Sequence, residues 1–177
     1  MKRKATLAIH DLCACDGCEV ALADMGHVLL DLLDDKVDLV YAPLFMSARD
    51  YGEVDILMLT GVARTEEDIA QLRQARQQAR YIVAFGSCAT FGGIPGLANL
   101  HEQATLLETA YLNAPSLRTG EGSIPNELLS ALTDKILPID AYVDVDFSLP
   151  GCPPPPRLLV DFLERVLKQV TLQEKRS

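Results

Sequence analysis

The chain has no apolar run that could cross a membrane. Its longest uncharged stretch, Tyr81 to Leu100, is interrupted by Gly86, Ser87, Thr90, Gly92, Gly93, Pro95, Gly96 and Asn99. That pattern suits a buried strand running into a tight loop, not a lipid-facing helix. No export signal is expected either, because only Ala5 to Ile9 lies between the basic start and His10-Asp11, too short for the apolar segment of a secretory leader. A cytoplasmic, reducing location is the expectation. Positive charge is scarce: Lys and Arg number 16 against 25 Asp and Glu, a net charge of −9, and no basic cluster follows Lys2-Arg3-Lys4. Such a surface repels phosphate backbones and anionic membranes, which argues against nucleic acid as a partner. Internal repeats and low-complexity tracts are absent as well.

What remains is a composition that folds. With 177 residues, 49% apolar and 23% charged, the chain can bury a real core and has the length of one domain, residues 1–177. Lys4 to Ile9 is expected to be the first strand. A Cys-rich loop follows and then, from Glu19 onward, a helix with Leu22, Met25, Leu29 and Leu32 on one face. Val37 to Tyr41, Asp55 to Thr60 and Tyr81 to Phe85 read as strands of a covered sheet. Thr65 and Asp68 stand at capping-box spacing, opening a helix that keeps Ile69 and Leu72 inward and turns Arg73, Arg76 and Arg80 to solvent. Gly86-Ser-Cys88 and Gly92 to Gly96 are expected to be loops, and Pro115 to Ser123 a surface excursion. A short helix is expected around Asn126 to Leu132, and Ala141 to Phe147 reads as the last strand. Pro153 to Pro156 then open a helix with Leu159, Phe162, Leu163, Val166 and Val170 on one face. Strands alternating with helices predict an α/β fold, a flavodoxin-like open parallel sheet with helices on both faces.

Five cysteines in a reducing compartment call for an explanation other than disulfides. Cys15 and Cys18 follow the first predicted strand, Cys88 a middle one, and Cys152 the last. Ligands of open parallel sheets sit beyond the carboxyl ends of the strands, so these loops can converge there and present four thiolates. A cubane iron–sulfur cluster takes that number of cysteines. Gly17, Gly86 and Gly151 stand one or two residues before a cysteine, where a missing Cβ lets backbone approach a bulky inorganic group. Structural zinc is the first alternative, although its sites draw on short paired knuckles. A redox dithiol of Cys15 and Cys18 is the second, and it leaves Cys88 and Cys152 unexplained. Cys13 exceeds the four required and reads as an inert thiol. His10, His27 and His101 share no spacing with the cysteines and read as surface or satisfied core residues. Glu19 would start a helix, where its charge complements the helix dipole; proton transfer at a subunit interface is its functional alternative.

Three motifs carry a family resemblance: Cys15-Asp-Gly-Cys18-Glu19, Gly86-Ser-Cys88-Ala-Thr-Phe-Gly92-Gly93-Ile-Pro-Gly96 and Pro150-Gly-Cys152-Pro-Pro-Pro. They resemble the small subunit of [NiFe] hydrogenases, within the wider family of the 20-kDa subunit of respiratory complex I, and cover almost the whole chain. The resemblance implies that Cys15, Cys18, Cys88 and Cys152 bind one proximal [4Fe–4S] cluster. That cluster would relay electrons to or from a NiFe centre on an obligate large subunit, since nothing on this chain could ligate that centre. Complex I relatives carry two adjacent cysteines in the first motif, whereas Asp16 and Gly17 separate the pair here, so the hydrogenase branch fits better. An electron-transfer subunit of a complex-I-like oxidoreductase without nickel is the alternative. Neither a twin-arginine signal nor ligands for medial and distal clusters is seen, and Cys13 does not match the extra cysteines of oxygen-tolerant forms. The resemblance thus implies an ordinary cubane in a cytoplasmic, oxygen-sensitive enzyme. Its further partner would be an iron–sulfur or flavin subunit of an NAD(H) diaphorase, a heterodisulfide reductase or an electron-bifurcating module.

Overall fold

Short runs rich in apolar and β-branched residues form five strands: β1 (Ala5–Asp11), β2 (Val37–Tyr41), β3 (Val54–Thr60), β4 (Ala79–Phe85) and β5 (Phe147–Leu149). The computed structural model describes residues 3–118, 120 and 122–174. All neighbouring strands pair in parallel, in the order β2-β1-β3-β4-β5. That is the flavodoxin-like order, whose winding direction reverses between β1 and β3.

Side chains alternate across the sheet and feed two apolar layers. Leu7, Ile9, Ile56, Met58, Val83 and Phe85 pack against the helices α1 (Gly17–Ala23), α2 (His27–Asp35) and α6 (Pro156–Glu174), through Leu22, Leu32, Leu159, Leu163 and Val166. On the other face Ala8, Leu57, Leu59, Ile82 and Ala84 meet Ile69, Leu72 and Ala75 of α3 (Glu66–Gln78). Each leucine or isoleucine buried in this way contributes about 1.5–3 kcal/mol. The Thr65 hydroxyl accepts from Asp68 N, and the Asp68 carboxylate accepts in return from Thr65 N at 2.8 Å, the capping box foreseen from their spacing.

Several expectations are corrected. The single helix from Glu19 is two, α1 and α2, broken at Gly26, whose φ of +59° no helix accommodates. Gly86 to Phe91 is a helix, α4, and Pro95–Leu100 a 3₁₀ turn. A further helix, α5 (Gln103–Tyr111), carries no buried residue and so gives no periodic signal. The helix expected at Asn126 to Leu132 is absent. Leu128 has φ +60°, and the following residues serve α3 instead: Ala131 O accepts from Glu66 N, Ser130 Oγ from Glu67 N, and Leu132 bridges Thr65. The last strand covers only Phe147–Leu149, because the chain before it forms a 3₁₀ turn over Ile139–Ala141 and turns Ile139 and Val143 into the second core. Residues 115–118 and 123 are exposed, as expected of a surface excursion; Thr119 and Glu121 of that stretch, and Lys2 of the basic start, lie outside the described residues.

So short a strand needs an anchor. Arg76, expected on a solvated stripe, supplies it: Nη1 donates to Asp146 Oδ2 at 2.6 Å and Asp144 O at 3.1 Å, and Nη2 to Ala79 O at 2.6 Å and Arg80 O at 3.0 Å. Asp146 Oδ2 also accepts from Ile82 N at 2.8 Å, locking the approach to β5 onto β4. Arg80 lies over the Tyr81 ring at 5.6 Å, which leaves Arg73 as the exposed member of the stripe. Charge-assisted bonds to partly buried groups contribute about 1.5–3 kcal/mol. Arg76→Ala should therefore lower stability by about 2 kcal/mol and Arg73→Ala by less than about 0.5 kcal/mol, read by denaturant unfolding.

Candidate metal centre

A parallel sheet delivers the C-terminal ends of its strands to one edge, and the cysteines leave from there. Beyond β1, Cys13 pairs its main chain with Val62, N to O at 3.1 Å and O to N at 3.2 Å, so the loop starts from a fixed point. Asp16 turns the chain in the left-handed conformation, φ 60°, into α1, whose first turn carries Cys18 and Glu19. β4 runs directly into α4 with Cys88, and β5 leads through Pro150 and Gly151 to Cys152.

Two glycines show how closely these segments meet. Gly86 has φ +87°, and a Cβ there would run into Cys18 Sγ and lie 3.5 Å from Gly151 O. Gly93 has φ +49°, and its Cβ would stand 2.8 Å from both Cα and Sγ of Cys88. Gly86 is marked in the sequence by its place two residues before Cys88, whereas the only signal for Gly93 is the Gly-Gly pair before Pro95. Gly17 meets Cys15 Sγ at an ordinary 3.4 Å, and Gly151 makes room for Pro154, not for a cysteine.

Electrostatics couples the same residues. Burial pushes the Cys18 thiol up to about 12, helped by the nearby charges of Cys88, Cys15 and Cys152. Cys88 is raised first by burial and then by Cys152, Cys15 and Cys13, while the Ile94 N–H opposes the shift. Cys15, Cys18, Cys88 and Cys152 are thus brought together, with Cys13 at their margin. Cys15 and Cys152 are exposed, whereas Cys18 and Cys88 are partly buried. Among the described residues, no three Cys, His, Asp or Glu side chains gather tightly enough to hold a single metal ion. Four soft sulfur donors, two of them hard against the empty Cβ positions of Gly86 and Gly93, fit an iron–sulfur cluster, whose binding would displace the thiol protons.

Glu19 does not present a solvated charge at the helix start. It is fully buried, its Oε2 accepts from Leu44 N at 3.2 Å, and the Asp11 carboxyl acts on it electrostatically. Burial, then the Asp11 carboxyl, pushes it up to about 8, while the Leu44 N–H opposes. Asp11 in turn accepts from Thr60 Oγ1 at 2.7 Å. His27 and His101 are exposed, and His10 packs against Tyr41 and Tyr51 at ring-centroid distances of 6.3 and 5.9 Å. None of the three joins the cysteines.

The model of the family "NADH ubiquinone oxidoreductase, 20 Kd subunit" matches residues 15–166. The chain belongs to that family. Among curated proteins it is 36% identical over 159 residues to a subunit of the F420-non-reducing hydrogenase vhu of Methanococcus voltae, covering 89% of this chain and 54% of that protein. It is 31% identical to the NAD-reducing hydrogenase HoxS subunit delta of Cupriavidus necator, covering 85% of this chain and 73% of that one. The chain spans about half the length of several curated relatives it matches. A chain in a crystal structure of NAD+-reducing [NiFe]-hydrogenase in the H2-reduced state superposes with a TM-score of 0.87 at 33% identity, over 94% of this chain and 93% of that one. Among the described residues no helix is long and apolar enough to cross a membrane.

Two measurements check this geometry. A methyl group on Gly93 meets Cys88 backbone and adds a left-handed penalty of about 1–2 kcal/mol, so Gly93→Ala should lower the iron retained by the complex severalfold. Gly96→Ala, with nothing within 4 Å of its Cβ, should not. Burial holds the imidazole of His10 below its usual range, against the raising influence of Gln71, Asp11 and Asp68. The unfolded chain then binds the extra proton below pH about 6.5. Stability should fall as pH drops through that value, and His10→Gln should flatten the slope of the thermal midpoint between pH 7.5 and 5.5.

Proposed function

We propose that this chain is the electron-transfer subunit of a cytoplasmic [NiFe] hydrogenase, working as a single domain over residues 1–177. Cys15, Cys18, Cys88 and Cys152 would hold one proximal [4Fe–4S] cluster. The observation that carries the reading is the convergence of these four thiols, from three strand-end loops, on one edge of a sheet that superposes on a hydrogenase chain at a TM-score of 0.87. When bound, the cluster supplies one-electron transfer between the NiFe centre of a large subunit and a partner redox module. That module would be an NAD(H)-linked flavin and iron–sulfur unit, a heterodisulfide reductase or an electron-bifurcating assembly.

The chain's own residues set the terms of that relay. Partial burial of Cys18 and Cys88 limits water at one side of the site, and exposed Cys15 and Cys152 leave the other side open to a partner. Phe91 at 69%, Ile94 at 67% and Leu100 at 77% exposure form an apolar rim on α4 and the following 3₁₀ turn. Such a rim beside a cofactor supports an obligate interface with the large subunit. Glu19, beside Cys18 and buried within this chain, is the carboxyl this reading assigns to proton transfer toward that interface. A complex-I-like subunit without nickel stays the second reading, favoured by the description of the matched family.

Metal analysis of the complex, captured anaerobically from its native host through this chain, separates the readings. Nickel with several irons is expected. Iron without nickel would favour the complex-I-like relay, and zinc alone would overturn both. Cys88→Ala should abolish H2-dependent dye reduction while nickel stays in the large subunit; full retained activity would sink the cluster assignment.

A further inference from the structure

Cys15 and Cys18 are held near each other by three peptide bonds, but Cys88 and Cys152 have no such link. The ladder between β4 and β5 ends at Phe85 and Leu149, short of both cysteines. Past that point one residue on each side continues the pairing. Ser87 N donates to Gly151 O at 2.8 Å, and Gly151 N donates to Ser87 Oγ at 3.1 Å. The two residues are 64 positions apart in sequence, and each immediately precedes a cysteine. The second bond uses a side chain because Gly86, at φ +87°, turns the β4 chain out of the extended conformation that would have offered a carbonyl. The same turn places the empty Cβ position of Gly86 against Cys18 Sγ and 3.5 Å from Gly151 O. One small ring of hydrogen bonds therefore sits where the three cysteine-bearing segments meet.

We infer that Ser87 is a positioning residue of the cysteine site: its hydroxyl holds the Gly151-Cys152 loop in register with Cys88, so that two cysteines from distant loops act as one ligand pair. The inference rests on the reading of the four cysteines as cluster ligands. Without the hydroxyl, Gly151 N loses its acceptor and the Cys152 loop keeps a single tie to α4. Removal of one neutral hydrogen bond corresponds to roughly a fivefold change in an equilibrium. The loosened corner should give up iron by about that factor, with little effect on the apolar layers.

The test uses the intact complex, purified anaerobically, with Ser87→Ala and Ser87→Thr. Iron release to a chelator, the electron paramagnetic resonance spectrum of the reduced complex, and thermal unfolding are read together. Ser87→Ala should release iron about fivefold faster and shift the spectrum, with an unfolding midpoint close to wild type, and Ser87→Thr should restore both readouts. A wild-type release rate and an unchanged spectrum in Ser87→Ala would overturn the inference and leave the cluster intact. Failure of Ser87→Thr to restore them would also overturn it, since the hydroxyl would not be the cause. A wild-type complex without any iron–sulfur signal would instead remove the reading beneath it.

Discussion

Parallel pairing is the constraint on which the rest of this molecule depends. When every strand runs the same way, each loop that leaves a strand emerges at the same edge, however far apart the strands lie in sequence. Cys18, Cys88 and Cys152 meet through β1, β4 and β5, although Cys18 and Cys88, and Cys88 and Cys152, lie more than sixty residues apart in sequence. The price is that each crossover must return over a face of the sheet, so both faces need an apolar cover. The two buried layers, with α1, α2 and α6 on one side and α3 on the other, meet that requirement.

Strand ends alone do not place a sulfur atom to within an ångström. The final adjustment comes from polar links that bind each cysteine loop to something already rigid. Cys13 and Val62 tie the first loop to the end of β3, Asp11 and Thr60 join β1 to β3 just before it, and Arg76 fixes the approach to β5. These links draw on groups that would otherwise be unpaired at the ends of elements, so they satisfy buried donors and acceptors while setting geometry. The result is asymmetric: Cys18 and Cys88 are partly buried, and Cys15 and Cys152 face outward. Exposure and hydrogen bonding are among the terms that tune an iron–sulfur potential, so under the proposed function that asymmetry would bear on electron flow as well as on retention.

Much of this was legible in the residues. β2 matched its expected bounds, β3 and β4 needed one or two more residues, and the capping box and α6 followed from spacing. Elements whose form is set by tertiary partners were not legible. Ala141 to Phe147 alternates like a strand, yet Ile139 and Val143 are drawn into the second core and only Phe147–Leu149 reaches β4. Asn126 to Leu132 has helical composition, but the free N–H groups of α3 recruit Ser130 and Ala131 as caps. At the site, the cysteines and Gly86 could be read from spacing, whereas the inward turn of Glu19 could not. Its neighbours, Asp11 at the end of β1 and Leu44 N in the loop after β2, are brought together only by the fold.

The position of β5 has one more consequence. It is an edge strand, and the open side of an edge strand is a template on which another chain can add by backbone pairing. Here the template is three residues long and is followed by Pro150 and then by Pro153 to Pro156, none of which has an N–H to donate. The prolines that open α6 thus also stop the sheet from growing outward beside Cys152. Contact at this edge falls to side chains, which discriminate among partners far better than a bare backbone would.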